Sequence, residues 1–178
     1  MKKFLCLMFL IALITSCKKE VKIEIDKSNE PLKIGTWNNL ENGDSGPIYT
    51  GDVDNQKIWL DYIKAHNIRD LDKISEINSD EWEGYAPSGL VIKGNKAHIE
   101  FLDNWFKTSS PKWNIRWMIA NSGEDENGEM TQWLTTANDL TDVDEQGNEI
   151  IEHHVHDVQF VNGKIKKIYV YSRSKANE

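Results

Sequence analysis

Histidine is the side chain best suited to exchange a proton at neutral pH, and three of the five histidines in this chain stand together as His153-His154-Val155-His156, followed directly by Asp157. Alternation along an extended strand puts His154 and His156 on one face, about 7 Å apart at Cα, and leaves His153 and Asp157 on the other. Two imidazoles at that spacing can chelate a metal. A metal site also needs a third ligand and partners that orient the rings, and neither a local cysteine nor an HExxH-type motif supplies them. No metal and no cofactor is therefore expected, and the pair reads as a polar pocket lining or as one side of a half-exposed strand. Asp142-x-Asp144-x-Gln146-Gly147 opens like a calcium loop, but its twelfth position is His153 where a bidentate Glu is required, so it reads as a hairpin turn. His66 and His98 lie on apolar helical stripes and read as core-edge histidines.

Elements that could position these groups follow from the hydrophobic periods. Ile58, Trp59, Tyr62, Ile63 and His66 recur on one helical face behind Asp52 and Asp54, and Asp70 caps a shorter helix carrying Leu71, Ile74 and Ile77. Glu81–Tyr85 and Leu90–Ile92 are short extended pieces around Pro87-Ser88-Gly89. Asn95 is expected to cap a third helix bearing His98, Phe101, Leu102, Trp105 and Phe106, which Pro111 ends. After it come four strands, Trp113–Asn121, Met130–Leu140, Ile150–Val161 and Lys164–Arg173, the last two joined by the hairpin signal Asn162-Gly163. Strict alternation places Trp113, Ile115, Trp117 and Ile119 on one face of the first of these strands and Met118 and Ala120 on the other. Helices followed by strands define an α+β class, and apolar groups on both faces suggest that one face takes the helices and the other a second copy of the chain.

The 178 residues carry 29 acidic against 21 basic side chains, a formal net charge of −8 that repels phosphate backbones and argues against nucleic-acid binding. Lys2 and Lys3 precede an uncharged run from Phe4 to Ile14, too short for a stable span, which reads as an export leader. Ile14-Thr15-Ser16-Cys17 resembles the lipobox of bacterial lipoproteins. That resemblance implies cleavage before Cys17, lipidation of Cys17, loss of Cys6 with the leader, and a protein tethered to a membrane at the bacterial cell envelope. The expected organisation is a signal peptide over residues 1–16, a lipidated N-terminus and polar linker over 17–50, and a folded domain over 51–174. Within the linker, Val21–Ile25 could form a short strand and Ile34–Leu40, with Trp37, could pack on the domain edge.

The order of elements resembles the nuclear transport factor 2-like superfamily, with the SnoaL-like branch the nearest match. The likeness is carried by His66-Asn67-Ile68-Arg69-Asp70-Leu71-Asp72-Lys73-Ile74, Ser79-Asp80-Glu81-Trp82, Pro87-Ser88-Gly89 with Ile92-Lys93-Gly94, and Phe160-Val161-Asn162-Gly163-Lys164-Ile165. It implies three helices packed in the concave face of a curved, mainly antiparallel sheet, a conical pocket open at one end, and frequent dimerisation through the sheet. In the ketosteroid isomerase branch, Tyr62 matches the oxyanion-hole phenol and Asp157 the protonated acid beside it. The place of the carboxylate base reads Ala86. The dehydratase-type pairing of an Asp on the first helix with a His on the first long strand is absent. The resemblance thus implies a small, largely apolar ligand held by Trp59, Tyr62, Trp82, Trp105, Trp117, Trp133 and Asp157. The enzymatic alternative would use Tyr62 and Asp157 with His154 or His156 as proton acceptor.

Overall fold

The apolar stripe Trp59, Tyr62, Ile63 and His66 is buried along one side of α1 (Asp54–Ile68), as its period requires. The helix ends where Arg69 enters the left-handed region at φ 65°, its N–H returning to the carbonyls of Ala65 and His66. A non-glycine residue there costs roughly 1–2 kcal/mol. The guanidinium of Arg69 offsets this by donating to the His66 carbonyl at 2.6 Å and lying 4.3 Å over the Phe106 ring. Asp70 caps α2 (Leu71–Ile77) as anticipated, its carboxylate accepting from the Lys73 N–H at 2.9 Å. Asn95 does not cap α3 (Asn95–Thr108): Gly94, at φ 91°, stands at that position, and the Asn95 side chain crosses to Ser75 and Asn78 instead.

The computed structural model describes residues 30–39, 42–143 and 146–175. Leader residues 1–16, Cys17 and the Val21–Ile25 alternation lie outside the described residues. Eight strands form one sheet in the order β1 (Lys33–Asn38), β2 (Ser45–Thr50), β5 (Lys112–Glu124), β6 (Met130–Val143), β7 (Glu149–Val161), β8 (Lys164–Ser174), β3 (Asn78–Tyr85), β4 (Val91–Lys93). Every pairing is antiparallel except β3 with β8. The sheet is curved and the three helices pack in its concave face, the α+β arrangement expected. Asn162 and Gly163 both have positive φ, 52° and 72°, the turn that matches the twist of a two-residue hairpin.

Two expectations change. Residues 33–38 and 45–50 are not linker: β1 and β2 extend the sheet past β5, and the compact unit begins at Pro31 rather than Gly51. Within them Gly46 makes room for Trp37, whose indole lies 2.6 Å from where a Cβ would stand. The alternation along β5 also fails, because a bulge between Ile115 and Trp117 shifts the register by one residue. Trp113, Ile115, Met118 and Ala120 consequently pack on the core, while Trp117 and Ile119 turn outward, 45% and 51% exposed. The core itself is anchored by Leu134, Val158, Ile165 and Ile74, none of which reaches solvent.

Candidate functional site

Between the helices and the concave face lies a hollow of about 220 Å³. Trp59, Tyr62 and His66 reach it from α1, Trp82 from β3, His98 and Trp105 from α3, Trp113 from β5, and His154 and His156 from β7. Its more exposed side is lined by Tyr85, Ala86, Pro87 and Leu90, and among the described residues no Lys, Arg, Asp or Glu side chain lines it. A cavity of ~150 Å³ holds benzene and drug-sized pockets start near 300 Å³, so this hollow fits one or two rings. The helix-to-sheet distance at its rim is set by Asn67, whose amide donates to the Trp113 carbonyl at 2.8 Å and accepts from the Trp113 N–H at 2.9 Å. Gly84 makes room for Trp82, whose indole lies across the place of a Cβ there and stacks on His98 at 3.7 Å with an interplanar angle of 7°.

Of the residues singled out beforehand, Trp59, Tyr62, Trp82, Trp105, His154 and His156 converge on the hollow. Trp117, Trp133 and Asp157 do not: they face outward from the opposite side of the sheet. For Asp157 the reason is the two-residue period of β7, which cannot turn it inward together with His154 and His156. Its carboxylate accepts from the Thr135 hydroxyl at 2.7 Å across β6, beside Trp133 and Tyr169. Trp117 leaves the hollow because of the β5 bulge, and Trp133 because its neighbour Leu134 takes the core position. His153 also faces outward, 2.8 Å from Asp139, which Arg116 holds from the other side at 2.7 Å.

The two inward histidines of β7 are already spoken for. Glu152 can only accept, so His154 donates to it through Nε2 at 2.8 Å, and His154 Nδ1 then receives the Nε2–H of His156 at 3.4 Å. Asn138 closes the chain by donating to His156 Nδ1 at 3.4 Å. Neither ring of this wall keeps a nitrogen for a substrate proton. Burial lowers the pKa of His156 to about 3, with the neighbouring His154 and His66 adding to the effect. Tyr62 offers its ring to the hollow, but its hydroxyl is sealed beside Trp82 and Asn78 without meeting hydrogen-bond geometry with either, and burial pushes its pKa upward. The expected convergence of Tyr62, Asp157 and a β7 histidine is therefore not formed.

The unforeseen members of the site are His66, His98 and Trp113. Burial holds His66 at a pKa of about 4 and His98 well below the usual imidazole value, so both are neutral at physiological pH. A signal for them existed in the sequence: each is the one histidine on a largely apolar helical stripe, and the stripes of α1 and α3 face the same interior.

No family model matches the chain, and no curated protein matches it. Solved structures share this arrangement of three helices packed in a curved, mainly antiparallel sheet. One is a protein designated a polyketide cyclase from Xanthomonas campestris pv. campestris, at 15% identity over 66% of this chain and 88% of that chain, with a TM-score of 0.52. Another, designated a ketosteroid isomerase, comes from Kribbella flavida, at 14% identity, 70% and 80% coverage and a TM-score of 0.53. A third is an epoxide hydrolase of the LEH-like type from M. tuberculosis, at 14% identity, 67% and 82% coverage and a TM-score of 0.53. Likeness at this identity establishes the fold and leaves the activity to the residues of the site.

Proposed function

We propose that this protein is a lipid-anchored protein of the bacterial cell envelope whose hollow binds a small, uncharged, largely apolar molecule without transforming it. The observation that carries the reading is the hollow itself, about 220 Å³ walled by aromatic rings, with no Lys, Arg, Asp or Glu among the described residues lining it and with His66 and His156 held neutral by burial. Binding is favoured over turnover by where the candidate reacting groups lie. Ala86 stands on the more exposed side of the hollow where a carboxylate base would be, Asp157 is on the other side of the sheet, and His154 and His156 are bonded to each other and to their neighbours. Anchoring is supported by the leader and the Ile14-Thr15-Ser16-Cys17 motif.

Titration with benzene and with naphthalene, followed through the indole N–H signals in a ¹H–¹⁵N spectrum, tests the binding. Shifts are expected at Trp59, Trp82, Trp105 and Trp113 and not at the outward-facing Trp117 and Trp133. A spectrum that does not respond, or responds only on the outer face, removes the hollow as a ligand site. Anchoring has its own check: Cys17→Ser should move the full-length protein from the membrane fraction to the soluble fraction, and continued membrane association would refute lipidation at Cys17.

A further inference from the structure

Inside the hollow, the orientations of two imidazoles are dictated by groups that lie outside it. The backbone carbonyl of Ser75 can only accept, so Asn95 presents Nδ2 to it at 3.0 Å, and the same nitrogen reaches Ser75 Oγ at 2.9 Å. Asn95 Oδ1 is thereby turned toward Asn78, whose Nδ2 donates to it at 2.9 Å and to His98 Nδ1 at 3.0 Å. Because His98 Nδ1 accepts, its proton sits on Nε2. His66 is set the opposite way. Its Nδ1 lies 2.9 Å from the Tyr62 backbone carbonyl, again an obligate acceptor, so Nδ1 carries the proton and Nε2 keeps a lone pair. Neither Nε2 has a hydrogen-bond partner among the described residues, and both rings line the hollow with centroids 6.0 Å apart. Rings this close, both lining one hollow, can be met by a single small functional group placed against them.

We infer that His98 and His66 read the head of the ligand as a fixed donor and acceptor, which assigns the guest to uncharged ring compounds whose head group both accepts and donates, a carboxamide or a hydroxyl. The ligand oxygen takes the N–H of His98, and the ligand N–H or O–H is given to the lone pair of His66. This rests on the hollow being a ligand site. Charged heads are excluded by what surrounds them. A carboxylate has no proton to offer His66, an ammonium has no lone pair to offer His98, and among the described residues no Lys, Arg, Asp or Glu lines the walls to offset burial of either. An apolar guest of the same size leaves both nitrogens desolvated and unpaired.

Calorimetric titration of the intact protein near neutral pH with benzene, phenol, anisole, benzamide and benzoate decides the matter. Phenol or benzamide should bind at least about tenfold tighter than benzene, and which of the two does so tells a hydroxyl site from a carboxamide site. Anisole, which accepts without donating, should lose the advantage of phenol, and benzoate should bind more weakly than benzamide. In His66→Leu the preference for the polar probes over benzene should shrink to within about threefold. Should that variant fail to fold, ¹⁵N shifts of the wild-type rings report the same point, with His66 protonated on Nδ1 and His98 on Nε2. Opposite tautomers, or benzoate binding tightest, overturn the assignment. If benzene binds and neither phenol nor benzamide gains over it, the assignment alone falls. If none of the five binds, the ligand-site reading falls with it.

Discussion

Acidification destabilises this protein above the range in which its lowered carboxylates titrate. His66, at about 4, His156, at about 3, and His98, well below its ordinary value, are all lowered first by burial. In the unfolded chain each titrates near 6.5. Between about pH 6.5 and about pH 4 the unfolded chain therefore takes up protons that the folded chain refuses, so stability is complete above that window and falls as the pH drops through it. At about pH 5 His66 and His156 cost about 2 kcal/mol each, on the order of 4 kcal/mol together, a large part of the roughly 5–15 kcal/mol that holds a domain folded, and His98 acts in the same direction. The depressed carboxylates act lower. Asp61, lowered by Lys57, Glu83, lowered by Tyr85, and Asp139, lowered by His153 and then Arg116, surrender their contribution only below about pH 4. Urea unfolding at a series of pH values measures this directly. A profile that stays flat from about pH 7.5 to about pH 5 would show that the three rings are not buried as neutral groups.

A single methyl group at Gly84 should close the site. A Cβ there would stand 2.3 Å from Trp82 Cη2 and 2.9 Å from Cζ3. The ring is only 4% exposed and stacked on His98 at 3.7 Å, so it cannot move without disturbing that stack. Replacing Gly by Ala in an extended strand gains roughly 0.4–1 kcal/mol through the unfolded chain, but overpacking of this kind costs roughly 1–3 kcal/mol, so the clash wins. Gly84→Ala is expected to lower stability by about 1–2 kcal/mol and to displace the indole into the hollow, reducing benzene affinity at least about tenfold. The two effects are separable by thermal unfolding and by titration of the folded variant. Unchanged binding would mean that Trp82 does not form the wall.

Much of the scaffold was legible in the residue order because its signals are local. The period of α1, the Asp70 cap, the stop before Pro111 and the Asn162-Gly163 turn are each written within a few residues, and each appears in the structure at about the expected place. The hairpin β1–β2 escaped because strands containing Gly35, Gly46 and Pro47 have the composition of a linker, and only the pairing of β1 with β2 and of β2 with β5 shows otherwise.

The site was legible only in part. The burial of Trp59, Tyr62 and Trp105 follows from helical stripes, and the opposition of His154 to Asp157 follows from strand period, since both are properties of a regular backbone. The outward turn of Trp117 depends on one extra residue at the β5 bulge, which no local preference announces and which reverses every side chain beyond it. The proton positions on His66 and His98 depend on Ser75, Asn78, Asn95 and the Tyr62 carbonyl, groups brought together from α1, α2, β3 and α3. Periodicity along a chain specifies which face a residue occupies, whereas a hydrogen-bond orientation is inherited from neighbours that only the folded chain supplies.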